Sequence, residues 1–93
     1  MADVLWGDVT SVVDGDTFDV HVTHYGKTNR TTYSNHERVR IASIDAPELP
    51  SPAGYSAKQS LERRIGGKHV RLDIQARDAY HRLVCDVRLA PKG

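Results

Sequence analysis

A mainly β domain with one helix, closed as a small barrel, is the fold class this sequence predicts. Three observations predict it. Runs of alternating apolar and polar residues occur toward both ends of the chain, one stretch of helical period lies between them, and the whole is 93 residues long. Alternation with period two marks a strand with one buried face, whereas recurrence at i, i+4 and i+8 marks one stripe of a helix. Ninety-three residues make a single domain, 1–93, above the size at which a metal or disulfides become obligatory for folding.

Val9 to Val13 and Asp16 to Thr23 alternate as two strands, joined at Asp14-Gly15, a strong hairpin signal. His24 to Glu37 is a polar excursion, with Thr31 to Tyr33 as a candidate extended piece. Arg38 to Ile44 reads as a third strand stopped by Ala46-Pro47, and PELPSPAGY as a proline-rich loop. The period then changes. Ser56 with Gln59 three residues later forms a capping box, Ala57, Leu61 and Ile65 make one helical stripe, and Gly66-Gly67 ends it. His69 to Ile74 and Leu83 to Leu89 alternate again around the turn QARDAYHR. The order β-β-β-α-β-β is that of the five-stranded Greek-key barrel known as the OB-fold.

Composition excludes several classes. An apolar fraction of 39% and a charged fraction of 27% belong to an ordinary globular chain, and no apolar run is long enough to cross a bilayer. A single cysteine, Cys85, rules out an internal disulfide and a multi-cysteine zinc site, and its strand-like setting LVCDV predicts a buried thiol. The start MADVLWGD carries no secretory signal, which makes the cytoplasm the default, with an extracellular or periplasmic place open to a processed chain. Charge is uneven. Residues 1–55 hold four Lys or Arg against eight Asp or Glu, a balance of −4, and residues 56–93 hold nine against four, a balance of +5. A basic half attracts a polyanion, while an acidic half repels one unless a cation intervenes.

Within VVDGDTFDV, Asp16 shares parity with Phe18, Val20 and Val22, so it falls on the apolar face. An unpaired carboxylate buried there costs several kcal/mol, roughly, so a partner is required. Two further segments hold charge where a fold alone does not want it. In RVRIASIDAPE, Arg40 shares parity with Ala42 and Ile44, while Asp45 and Glu48 bracket Pro47 just past the strand; in DAYHR, Tyr80 and Arg82 stand at the mouth of the last strand. Two aspartates and a backbone carbonyl form part of an oxygen shell of the kind Ca²⁺ takes. Paired guanidiniums grip phosphate, and a glutamate beside them can orient or deprotonate water, so the set describes phosphodiester hydrolysis.

The joint pattern VDGDT, R-x-x-x-x-D-x-P-E over Arg40 to Glu48 and D-x-Y-x-R over Asp78 to Arg82 resembles the staphylococcal nuclease (thermonuclease-like) family, across about residues 9–89. The resemblance implies an OB-fold enzyme that cuts DNA or RNA with Ca²⁺ and leaves 3′-phosphates. It makes Asp16, Asp45 and the Ala46 carbonyl the calcium ligands, Glu48 the residue that acts on the attacking water, Arg40 and Arg82 the guanidiniums on the scissile phosphate, and Tyr80 a contact to the substrate's terminal phosphate. Departures are present: Ala46 stands where the best-known member has threonine, Ala79 where it has a phosphate-binding lysine, and His81 where it has glycine. The chain ends at LAPKG, ahead of two helices with which the family usually continues, which leads to an expectation of lower stability or weaker activity. DNA and/or RNA is the expected partner, single strands preferred, with no membrane and a monomeric state. The rival from another class is a non-catalytic OB module that binds nucleic acid or protein.

Four histidines, His21, His24, His36 and His69, read as surface or edge residues. Trp6 reads either as a base-stacking platform or as a lid over one barrel end. Lys58, Arg63, Arg64, Lys68 and Arg71 make either a phosphate-tracking face or a solvated one.

Overall fold

The computed structural model describes residues 2–92. Its elements are β1 (Asp3–Asp14), β2 (Thr17–Tyr25), β3 (His36–Ile41), α1 (Pro52–Ile65), β4 (His69–Arg77) and β5 (Leu83–Leu89). The strands close into a barrel in the order β1-β2-β3-β5-β4, with β4 returning to pair with β1. The β3–β5 pair is parallel and the other pairs are antiparallel. Closure leaves the sheet no free edge, which suits a domain too small to shield one otherwise.

The strands bury one face as their period dictates: Phe18, Val20 and Val22 from β2, Val39 and Ile41 from β3, Val70, Leu72 and Ile74 from β4, Leu83 and Cys85 from β5. Burial pushes the Cys85 thiol up to about 12, so it stays protonated and inert at neutral pH. Leu61 and Ile65 of α1 complete this core, as their stripe predicts. Each such side chain taken out of water contributes about 1.5–3 kcal/mol.

Several boundaries differ from the sequence reading: β2 runs on to Tyr25, β3 starts at His36 and β4 runs on to Arg77, and four further differences have a local reason. β1 starts at Asp3 and takes in Trp6, because residues 3–8 pair with β4 over Asp3↔Ile74 to Asp8↔His69. β3 ends at Ile41, so its buried positions are Glu37, Val39 and Ile41, and Arg40 lies on the opposite face. The helix begins one turn earlier than the Ser56 capping box implies. Ser51 is its N-cap, accepting from the Gly54 N–H at 3.0 Å, and Pro52 occupies the first turn where its missing N–H costs nothing. The hairpin loop is Gly15-Asp16 rather than Asp14-Gly15, with Asp14 paired to Thr17.

The polar excursion after β2 forms no strand. It folds back on the start of β1, where the Asn29 amide mimics a peptide: its Oδ1 accepts from Val4 N–H at 2.7 Å and its Nδ2 donates to Val4 carbonyl at 2.9 Å. Buried Asp3 accepts from the Tyr33 hydroxyl at 2.6 Å and from the Arg30 N–H at 3.0 Å. The Tyr33 and Arg30 hydrogen bonds hold the Asp3 carboxyl below its ordinary range in spite of burial. A depressed folded-state value means the stabilisation is present above the unfolded-state pKa and is lost as pH falls through the folded one. Asp3→Asn is therefore expected to lower the melting temperature at pH 7, and the gap to the parent protein should close as pH drops below about 4. A gap independent of pH, in melts from pH 7 to 2.5, would contradict this.

Candidate active site

Three segments meet at one end of the barrel: the β1–β2 turn, the loop after β3 with the start of α1, and the β4–β5 turn. Two glycines permit the approach. A Cβ on Gly15 would lie 2.6 Å from the Ala57 Cβ and 2.7 Å from the Ala46 Cβ, so the hairpin tip packs directly on α1 and on the Asp45 loop. A Cβ on Gly54 would lie 2.4 Å from the Glu48 carbonyl oxygen, so the first helical turn packs onto the backbone of Glu48. Ser51 fixes that loop from the other side, donating through Oγ to the Glu48 carbonyl at 2.7 Å while it caps the helix.

Between these segments lies a cleft of about 190 Å³ lined by Asp14, Asp16, Arg40, Asp45, Glu48 and Arg82, with Ala46 and Pro47 in its wall. Six of the seven residues singled out from the sequence therefore converge. Tyr80, the seventh, is exposed outside the lining, with its ring centroid 5.2 Å from the Arg82 guanidinium carbon.

Asp16 is buried, as parity predicts, although it sits in the tight turn and not on the strand face; Ala46 and the helix cover the turn. One carboxylate oxygen accepts from the Thr17 hydroxyl at 2.9 Å, the other from the Ala46 N–H at 3.2 Å, and Arg40 Nη2 lies 3.6 Å away. Burial opposes ionisation of Asp16. The hydrogen bonds from Asp14, Thr17 and Ala46, together with the Arg40 charge, outweigh it and hold the carboxyl below its ordinary range. Asp14 behaves oppositely, raised by burial and by the adjoining Asp16 carboxylate. Asp14 was concealed in the sequence because Asp-Gly is a sufficient turn signal by itself; the second acid across the turn was the available clue.

Arg40 links two acids. Its Nη2 is 3.6 Å from Asp16 and 3.5 Å from Asp45, and its Nη1 donates to the Ile41 carbonyl at 3.0 Å. Asp45 itself is 98% exposed, so its side chain projects into solvent at the rim. Arg82 is held by Asp78, which accepts from the Arg82 N–H at 2.9 Å and from Arg82 Nε at 2.8 Å. Burial of Asp78 is outweighed by these bonds and by one from the Tyr80 N–H, and its carboxyl is lowered. The i, i+4 spacing within D-x-Y-x-R was the signal for that brace.

Donor chemistry in the cleft is all oxygen, which fits a hard divalent cation and not a soft one. Among the described residues, no three His, Cys, Asp or Glu side chains are gathered closely enough to chelate an ion as they stand.

The family model described as staphylococcal nuclease homologue matches residues 38–92. The chain belongs to this family. Over 94% of its length it is 36% identical to the probable endonuclease lcl3 of Schizosaccharomyces japonicus, covering 45% of that protein. It is also 36% identical to protein ParB of Escherichia coli over 84% of its length, and 40% identical to the probable staphylococcal-like nuclease CAN3 of Oryza sativa over 54%. Those matches cover 38% and 13% of the respective relatives, so the chain spans less than half the length of each. The five-stranded closed barrel with one helix described above matches the family's OB-like fold.

Of the histidines, His21, His24 and His36 are exposed as expected, but His69 is buried, with Nδ1 2.9 Å from Asp8 Oδ1. The two lie 61 residues apart and meet only through the β1–β4 register. His81 occupies the left-handed region at φ 64°, which explains why glycine suits this position before the second arginine. His81→Gly is expected to raise stability by about 1 kcal/mol by relieving that conformation. Urea unfolding checks it, and a lower midpoint for the glycine variant would contradict the assignment.

Proposed function

We propose that this chain is a metal-dependent nuclease that hydrolyses phosphodiester bonds of DNA or RNA, with Ca²⁺ as cofactor and single strands preferred. The observation that carries the reading is the convergence of Asp16, Asp45, Glu48, Arg40 and Arg82 on one cleft from three separate segments. Membership of the family and the endonuclease names of its relatives support it.

In this reading Asp16 and Asp45, with the Ala46 carbonyl, hold the ion. When bound, the ion supplies positive charge against phosphate oxygens and so offsets the acidic lining. The remaining work falls to side chains. Glu48 projects from a loop fixed by Ser51 and takes a proton from the attacking water. Arg40 and Arg82 hold the non-bridging oxygens of the phosphate and stabilise charge as it develops, and Asp78 keeps Arg82 extended toward the cleft. The 5′-oxygen departs and the 3′ side retains the phosphate. A shallow cleft on a small barrel admits a splayed strand more readily than a duplex, which underlies the preference for single strands.

Cleavage of a single-stranded oligonucleotide with Ca²⁺ and with EDTA tests the proposal, alongside Glu48→Gln and Arg82→Ala. Calcium-dependent cutting is expected, falling by about 10²-fold or more in either variant. Oligonucleotide binding without cutting under any metal condition would overturn the enzyme reading and favour a non-catalytic binding module.

A further inference from the structure

A second cleft is larger than the one above. A cavity of about 430 Å³ opens at the other end of the barrel, where β1 begins, β2 ends and β4 begins. Trp6, His24, Tyr25, Lys27 and His69 line it. We infer that this cleft is a second nucleic-acid contact, in which aromatic rings stack on bases of a single strand whose phosphates meet Lys27. The inference rests on the nuclease reading for the identity of the polymer and deepens it by giving the substrate a second point of attachment.

Four features support that occupant. Stacking platforms combined with positive charge are what sequence-tolerant single-strand binding uses, at about 1–3 kcal/mol per stacked base. Here Tyr25 is 46% exposed and the Arg71 guanidinium carbon lies 5.6 Å from the centroid of the Trp6 ring. That cation, itself paired with Asp73 at 3.1 Å, fixes the indole, and the positive charge in the lining is Lys27. The nearby carboxylate does not oppose a phosphate, because Asp8 is matched by His69 at 2.9 Å and by Lys92 at 3.4 Å. The imidazoles are organised too: His24 and His69 meet edge to face with centroids 6.4 Å apart, and buried His69 is anchored by Asp8.

The spacing is also suitable. Asp16 and Tyr25 stand at opposite ends of β2, nine residues apart. At about 3.3 Å per residue this is a span of up to about 30 Å. About nine stacked nucleotides bridge it at about 3.4 Å each, and fewer if the strand is extended. Both figures fall within the range of about 4–16 nucleotides that one OB barrel occupies.

Trp6 is the single tryptophan of the chain, so its emission reports on this cleft without a label. The test titrates the 93-residue protein in EDTA, which blocks metal-dependent cleavage, with the ten-nucleotide thymidine oligomer. Binding is followed both by Trp6 fluorescence and by anisotropy of an end-labelled copy. Saturable quenching is expected, with the same Kd by both signals. Lys27→Glu and Tyr25→Ala, both exposed and checked for an unchanged melting temperature, are each expected to weaken binding fivefold or more. Anisotropy that reports binding without a change in Trp6 emission would overturn the inference while leaving the nuclease reading intact. So would an unaltered Kd in both variants. Polyglutamate quenching Trp6 as effectively as the oligomer would also overturn it, marking a general anion surface. Absence of oligomer binding by either signal would remove the second contact, and cleavage in Ca²⁺ would then show whether the nuclease reading survives alone.

Discussion

The buried carboxylate of Asp16 is the group on which the functional end of this barrel depends. It touches each segment of the cleft except the β4–β5 turn: Thr17 at the start of β2, the Ala46 N–H in the loop after β3, and Arg40 on β3. Its backbone takes part as well, since its N–H donates to Asp14 and its carbonyl accepts from the Ile41 N–H at 2.8 Å. A carboxylate held out of water survives only if such partners outweigh its desolvation. Here neutral donors and one guanidinium do so. Asp14 is the complement, a neighbouring carboxyl pushed toward its protonated form. Asp16, Asp45 and Glu48 on the same cleft outnumber Arg40 and Arg82, which supports the cation proposed there.

Packing makes that arrangement possible. Gly15 and Gly54 remove side chains where the hairpin tip meets α1 and where α1 meets the Glu48 backbone. Ser51 then serves two purposes, ending the loop and starting the helix. The result is that Glu48, on a loop with no ladder of its own, is placed by the helix N-terminus, while Arg82 is placed by the Asp78 brace inside a tight turn.

Much of this was legible in the residues. Period two gave the barrel strands, and β5 begins at Leu83 and ends at Leu89 as the alternation implies, because both its ends abut clear polar turns. Parity marked Asp16 for burial, although what covers it is Ala46 and the helix over the turn. What stayed hidden depended on partners distant in the chain. The first turn of the helix was missed because Ser51 and Ser56 both offer a cap, and only Pro52, which cannot sit deeper in a helix, decides between them. Arg40 lies on the opposite face because Val39 and Ile41 take the buried positions of β3, and the strand stops before Ala42 and Ile44, with which it was aligned. The Asn29 clamp on Val4 and the Asp8–His69 pair span 25 and 61 residues, and no local pattern signals either. The same holds for the far cleft: Trp6 was readable as a stacking platform, but its neighbours, Tyr25 and Lys27 at and just past the end of β2 and His69 at the start of β4, are united only by the closed barrel.

Thermal melts with and without Ca²⁺, on the parent protein and on Asp16→Asn, test the central claim most directly. If Asp16 anchors a cation at this cleft, Ca²⁺ at about 100 times its Kd should stabilise the parent by about 2.7 kcal/mol and leave the variant unmoved. An equal rise in both proteins, or none in the parent, would contradict the account and leave Asp16 as a structural carboxylate satisfied by Thr17, Ala46 and Arg40 alone.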